Sequence, residues 1–375
     1  GWAEFALGDA WGGYDAVAWF RARLRVPERL RGKKLALRFV VGPRDGGDST
    51  AETLLFVNGV PLQAVDVWHE AAWLPPELAE GELVIALRAW SGVLGVPPVR
   101  RFKVAELVWI DERAERYFAL ADTLRLALRE LDENDWRSLD LLRALHASVG
   151  LIDFNEPRSE RYYASLERAD ALLRERLEHW RGLEVDKPTV VGVGHAHIDL
   201  AWLWRISHSR EKAVRTFTTA LHLMRQYPEY VFLHSSPQLY RWLEQDAPEL
   251  FAQVRARAAE GRWEATGAMW VEPDTNLPSG ESLVRQLLFG QRYFRETFGR
   301  ASTLLWLPDV FGYTAALPQL LRGSGVAYFL TSKISWSQFN RFPHDTFRWR
   351  GLDGSEVLAH FLTTPEEGSP YATYN

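Results

Sequence analysis

Cysteine is absent from this 375-residue chain. That excludes disulfides, thiolate metal sites and thiol nucleophiles. It is compatible with a reducing compartment, and a cytoplasmic location is the expectation. No uninterrupted apolar run approaches the roughly 20 residues that a bilayer-spanning helix needs, and the start of the chain has no signal-peptide pattern. Basic blocks are missing too, and with a formal net charge of −5 the sequence weighs against a nucleic-acid partner. The chain begins at Gly1 rather than Met, which suggests a trimmed product or a piece of something longer.

What is present is a soluble globular composition, 47% hydrophobic and 25% charged, at a length that allows more than one domain. Tryptophan is abundant, with 17 residues. Many of these fill cores, but indole faces also stack on sugar rings, so carbohydrate is an early suspicion.

Residues 1–103 read as an all-β, jelly-roll-like sandwich, either a carbohydrate-binding module or a scaffold. Ala18, Phe20, Ala22, Leu24 and Val26 alternate with Arg21, Arg23 and Arg25, the period of a half-buried strand. Leu35 to Val41 and Glu82 to Trp90 are further strands, and Asn58-Gly59 marks a hairpin between two more. Residues 104–186 change to a helical period and form a connector. Helices are expected over Glu112 to Glu133 and Trp136 to Val149, with a third along Leu166, Ala169, Leu173, Leu177 and Trp180.

From 187 to 375 strands and helices alternate, the pattern of the first part of a β/α barrel. Strands are expected at Val190 to Val193, Val231 to His234, Trp263 to Ala268, Thr303 to Leu307 and Ala327 to Thr331. A closing pair at Phe347 to Trp349 and Val357 to Phe361 turns at Asp353-Gly354. A helix begins after Ser279 and stops at Gly299. The sheet looks unfinished, and its open edge leaves self-association in play.

Chemistry gathers where strands end. His195, His197 and Asp199 follow the first strand, and Asp309 follows the fourth. In covered α/β sheets the C-terminal strand ends are where ligands bind. His197, Asp199 and Asp309 make an N,O,O set for a divalent cation such as Zn²⁺. His195 is either a further ligand or a residue that orients the loop. Glu272, Asp274 and Asn276, framed by Trp270, either bind sugar hydroxyls or satisfy the following helix. Lys333 is placed to neutralise a carboxylate, or is a surface lysine. His208, His222 and His234 show no ligand spacing.

Four stretches, Gly194 to Trp202, Trp270 to Glu281, Trp306 to Tyr313 and His344 to Trp349, together resemble the class II α-mannosidases of glycoside hydrolase family 38, most closely the cytosolic, bacterial-type branch. The resemblance implies a retaining exo-α-mannosidase acting on α-mannoside oligosaccharides. It implies that His197, Asp199 and Asp309 bind Zn²⁺ (or Co²⁺), that Asp309 is also the nucleophile, and that Trp202 is the platform under the sugar ring. Lys333 takes a place where the family often has Arg, and Tyr374 matches a sugar-contacting tyrosine. The family's fourth metal ligand, its general acid and its large β-rich C-terminal half are not found, so a fragment is expected. Competing readings are a metal-dependent amidohydrolase or polysaccharide deacetylase, and a non-catalytic carbohydrate-binding protein.

Overall fold

The computed structural model describes residues 2–42, 51–93, 99–183, 189, 191–333 and 342–362. Its N-terminal part contains β1 (Ala10–Gly12), β2 (Val17–Arg25), β3 (Leu35–Val40), β4 (Glu52–Val57), β5 (Val60–Val65), β6 (Ala71–Leu74), β7 (Glu82–Trp90), β8 (Val99–Arg101) and β9 (Val104–Trp109). One antiparallel sheet has the order β2-β7-β4-β5, a second the order β6-β3-β9, and β1 pairs with β8. Leu35, Leu37 and Phe39 of β3 and Leu83, Ile85 and Leu87 of β7 belong to one buried cluster, the alternation a two-layer sandwich requires. Asn58 and Gly59 both have positive φ, 52° and 83°, which suits a two-residue hairpin turn.

Two details depart from expectation. Ala22 is exposed. It keeps to the side of Phe20 and Ile85 but lines an open cleft with them and Phe5, so nothing packs on it. The sheet also runs past residue 103, because β9 pairs with β3 from Val104 to Trp109.

Next come α1 (Glu112–Glu130), α2 (Trp136–Gly150) and α3 (Glu160–Leu183). Asp111 and Asp135 cap the first two through their side chains. Leu166, Ala169 and Leu173 are buried against Tyr117, Leu124 and Leu141, with Leu177 and Trp180 packed alongside. The expected apolar face of the third helix is therefore the one used.

The α/β part contains β10 (Gly194–His195), α4 (Ile206–Gln226), β11 (Phe232–His234), α5 (Pro237–Asp246), α6 (Pro248–Ala259), β12 (Trp263–Ala265), α7 (Gly280–Phe298), β13 (Leu304–Leu307), α8 (Leu317–Gly323), β14 (Tyr328–Thr331), β15 (Thr346–Arg350) and β16 (Glu356–Phe361). β10-β11-β12 form one parallel sheet; in β13-β14-β16-β15 only the last pair is antiparallel. Among the described residues no ladder joins β12 to β13, so the sheets do not close into a barrel. The fold is thus a jelly-roll region followed by mixed helix and sheet.

The first α/β strand is shorter than the apolar run suggested. Val190 lies outside the described residues, and Val191 and Val193 are exposed. Only Gly194 and His195 reach register with Phe232 and Leu233; hydrophobicity makes a run eligible for a strand, but a neighbouring backbone decides where pairing starts. Close packing sets the strand ends. A Cβ on Gly290 of α7 would lie 2.1 Å from the Ala268 carbonyl, so only glycine lets the helix press on the chain leaving β12. Ser279 caps α7, and Gly299 closes it at φ 77°. No helix among the described residues is long and apolar enough to cross a membrane.

Candidate functional site

The ends of β10 and β13 bring His197, Asp199 and Asp309 together, with one ligand atom from each lying within 4.8 Å of the others. His197 Nε2 is 3.1 Å from Asp199 Oδ1 and 3.5 Å from Asp309 Oδ2. Two donors each about 2.1 Å from one ion at a tetrahedral angle sit about 3.4 Å apart. The observed spacing therefore suits a shared cation, and imidazole with two carboxylates suits Zn²⁺.

The other ring nitrogen of His197 supports that geometry. Nδ1 is 2.8 Å from Glu272 Oε2, and a carboxylate there favours the tautomer whose Nε2 lone pair faces the cluster. Burial opposes a charged imidazolium, but Glu272 and Asp199 outweigh it and raise the His197 pKa to about 10. A cation at Nε2 would have to displace that proton.

Asp309 Oδ1 is 2.5 Å from Lys333 Nζ, and the lysine side chain is 3% exposed. Lys333 is thus a buried partner of the carboxylate rather than a surface group. Ser332 Oγ donates to the Pro308 carbonyl at 2.8 Å, tying the end of β14 to the chain just before Asp309. Asp199 is held differently. Its backbone carbonyl accepts from Trp204 Nε1 at 3.3 Å and Ser209 Oγ at 3.0 Å.

His195 is not in the cluster. Its Nε2 accepts a hydrogen bond from Trp306 Nε1 at 2.9 Å, and burial pushes its pKa well below the usual histidine value. It acts as a neutral support between the two strand ends. His234 is buried and lowered to about 4 by burial, and His222 packs against Trp73. His208 bonds Asp15 at 2.8 Å. None of these three joins the cluster.

The residues grouped for sugar contact separate. Glu272 directs Oε2 at His197 and takes a hydrogen bond from Ser235 Oγ on Oε1, so its carboxylate orients the histidine. Asp274 Oδ1 accepts from the Asn276 and Leu277 backbones at 2.7 and 2.8 Å. That is the local loop role a short aspartate side chain readily takes. Trp270 donates to Gln238 at 3.1 Å and meets Tyr293 edge-on, which makes it a brace between α5 and α7. Trp202 is 58% exposed, edge-on to Trp204, and so offers an open indole face. Tyr374 lies outside the described residues. A cavity of ≈ 600 Å³ runs from His197 and Asp199 along α4 to Asp66 and Trp68 of the sandwich.

Ser235, Trp306, Trp204 and Ser209 were not singled out from sequence. Each is a common residue whose partner lies on another segment or across a turn, and no spacing signals it.

Residues 187–375 match the glycosyl hydrolases family 38 N-terminal domain, and residues 1–120 match the alpha-mannosidase jelly roll domain. The alpha-mannosidase of Saccharomyces cerevisiae is 34% identical over 94% of this chain and 33% of its own length. Alpha-mannosidase G of Dictyostelium discoideum is 31% identical over 99% and 33%, and human alpha-mannosidase 2C1 is 34% identical over 95% and 34%. The chain therefore spans about a third of the length of these relatives. Because the family 38 domain accounts for just over half of its residues, the chain belongs to glycosyl hydrolase family 38.

Proposed function

We propose that this chain is the metal- and sugar-binding part of a retaining exo-α-mannosidase acting on terminal α-mannosides. The names of its relatives support the substrate. The observation that bears most on the chemistry is His197 Nε2 facing two carboxylates while Glu272 holds Nδ1. A bound Zn²⁺ or Co²⁺ would grip adjacent sugar hydroxyls and help orient the ring.

The chain's own residues divide the remaining work. Asp309 is the nucleophile: one of its oxygens attacks the anomeric carbon as the bond to the leaving oxygen breaks and that oxygen takes a proton from a general acid outside this cluster, and the glycosyl group is carried on the carboxylate until water releases it. Lys333 holds the other oxygen, so the attacking carboxylate has one orientation. Trp202 offers its face to the apolar side of the sugar. A cytoplasmic location and a Zn²⁺ or Co²⁺ cofactor belong to the same proposal. The amidohydrolase reading is less favoured, because His197, Asp199 and Asp309 form the one such ligand group among the described residues and no second metal group adjoins it.

Metal content and hydrolysis of an aryl α-mannoside, measured for the full-length enzyme and its Asp309→Ala variant, test this. Loss of both in the variant is expected. Turnover that survives Asp309→Ala overturns the nucleophile assignment.

A further inference from the structure

We propose that the N-terminal sandwich is a positioning element for the metal-ligating loop, with Glu52 of β4 acting through Lys212 and Trp204 on Asp199. The inference rests on the metal reading above and gives the sandwich a role other than binding sugar.

The contacts form a continuous path. Glu52 takes ion pairs from Lys212 and Arg215, one turn apart on α4. Lys212 Nζ sits 4.4 Å above the Trp204 ring. The Trp204 indole N–H then points at the Asp199 carbonyl (3.3 Å) and Ser209 Oγ (2.9 Å), and Ser209 donates to that same carbonyl. Asp199 thus receives its place from α4, and α4 receives its place from the sandwich.

The charges argue that this is more than adhesion. Glu211 faces Arg88 of β7 at 2.5 Å and Arg215 at 3.9 Å. Glu52 and Glu211 therefore face three cations, Lys212, Arg215 and Arg88, which leaves one positive charge over. Asp199 is the next carboxylate whose field reaches Lys212. Removing Glu52 would turn Lys212 toward Asp199 and make the lysine compete with the cation for that carboxylate. Buried ion-pair clusters are also inefficient glue, because desolvation offsets their attraction. The sandwich has a further ion pair to the same helix, Glu77 with Arg225 at its far end. That pair is exposed and makes no contact with the path to Asp199, so it serves as an internal control.

The experiment uses the whole chain and Co²⁺, read by titration and by its visible absorption bands, with urea unfolding run on every variant. Glu52→Gln and Lys212→Met are expected to bind Co²⁺ about tenfold more weakly with shifted bands, as residues behind metal ligands commonly do. Lys212→Arg should recover most of the affinity, and Arg225→Gln should match wild type. Trp204→Phe keeps the ring under Lys212 but removes the donor to Asp199; it should also weaken binding, and it tests the path even where a charge variant does not fold. Unchanged Co²⁺ affinity and spectrum in folded Glu52→Gln and Trp204→Phe overturn the proposal. Wild type that binds no Co²⁺ or Zn²⁺ overturns the metal reading itself, and this inference with it.

Discussion

The two carboxylates of the cluster sit at the ends of different strands and are held by opposite means. Asp309 is 15% exposed in its side chain and is held through its charge, by a lysine that is almost wholly buried. Asp199 is 33% exposed and is held through its backbone carbonyl, by an indole and a hydroxyl on or near α4. The β13 end therefore stores electrostatic energy, whereas the β10 end stores geometry. A buried charge tolerates no loss of its partner; a backbone-anchored loop degrades gradually as its supports are removed.

This contrast orders the expected effects. Asp309→Ala should be the most severe, abolishing stoichiometric metal binding and turnover together, as measured by metal content after dialysis. Lys333→Met follows. It removes the closest cation of the Asp309 carboxylate, leaving His197 at 3.5 Å, and should cost about 3 kcal/mol of stability without metal, seen as a lowered urea midpoint. Added Zn²⁺ should restore much of that, and a metal-insensitive loss would break the comparison.

Acid tests the scaffold behind the β10 end. Burial lowers the His222 pKa from 6.5 to about 4. Its neutral form therefore contributes stability that is complete above pH 6.5 and is lost as pH falls toward 4. About 2 kcal/mol should go by pH 5, and His222→Gln should flatten that part of the urea-midpoint profile. Glu272→Gln should weaken metal binding about tenfold, within the range for residues orienting a ligand histidine. The smallest effect is expected at the exposed indole. Trp202→Ala should weaken mannoside binding about fivefold, on the scale of one lost aromatic contact, while metal content stays level. Falling metal content would move Trp202 into the support of the loop.

The legible parts of the molecule were those whose cause is local. The caps at Ser279 and Gly299 and the turn at Asn58-Gly59 depend on a few consecutive residues, and they were read correctly. His197 and Asp199 stand two residues apart after one strand, so they too were readable. The contacts of Glu272 are not legible in sequence, because its partners, Ser235 and His197, lie on other strand ends and no spacing announces them. Trp270 and Asp274 follow a strand end, where sugar contact is one sequence expectation; in the structure packing and a loop hydrogen bond engage them. The strands β6 and β9 and the helix α8 lacked a clean period and were overlooked.

By itself the sequence determined the broad order of all-β, helical and mixed regions, the His197, Asp199 and Asp309 set at strand ends and the family's motifs, since periodicity, capping and short spacing are properties of neighbouring residues. Tertiary structure alone decided which side chains serve which. It turned Glu272 onto His197, buried Lys333 against Asp309 and set the charges of the sandwich against α4. Those pairings join segments far apart in sequence, up to 163 residues for Glu52 and Arg215, and they exist because a folded core leaves a buried charge few partners within reach.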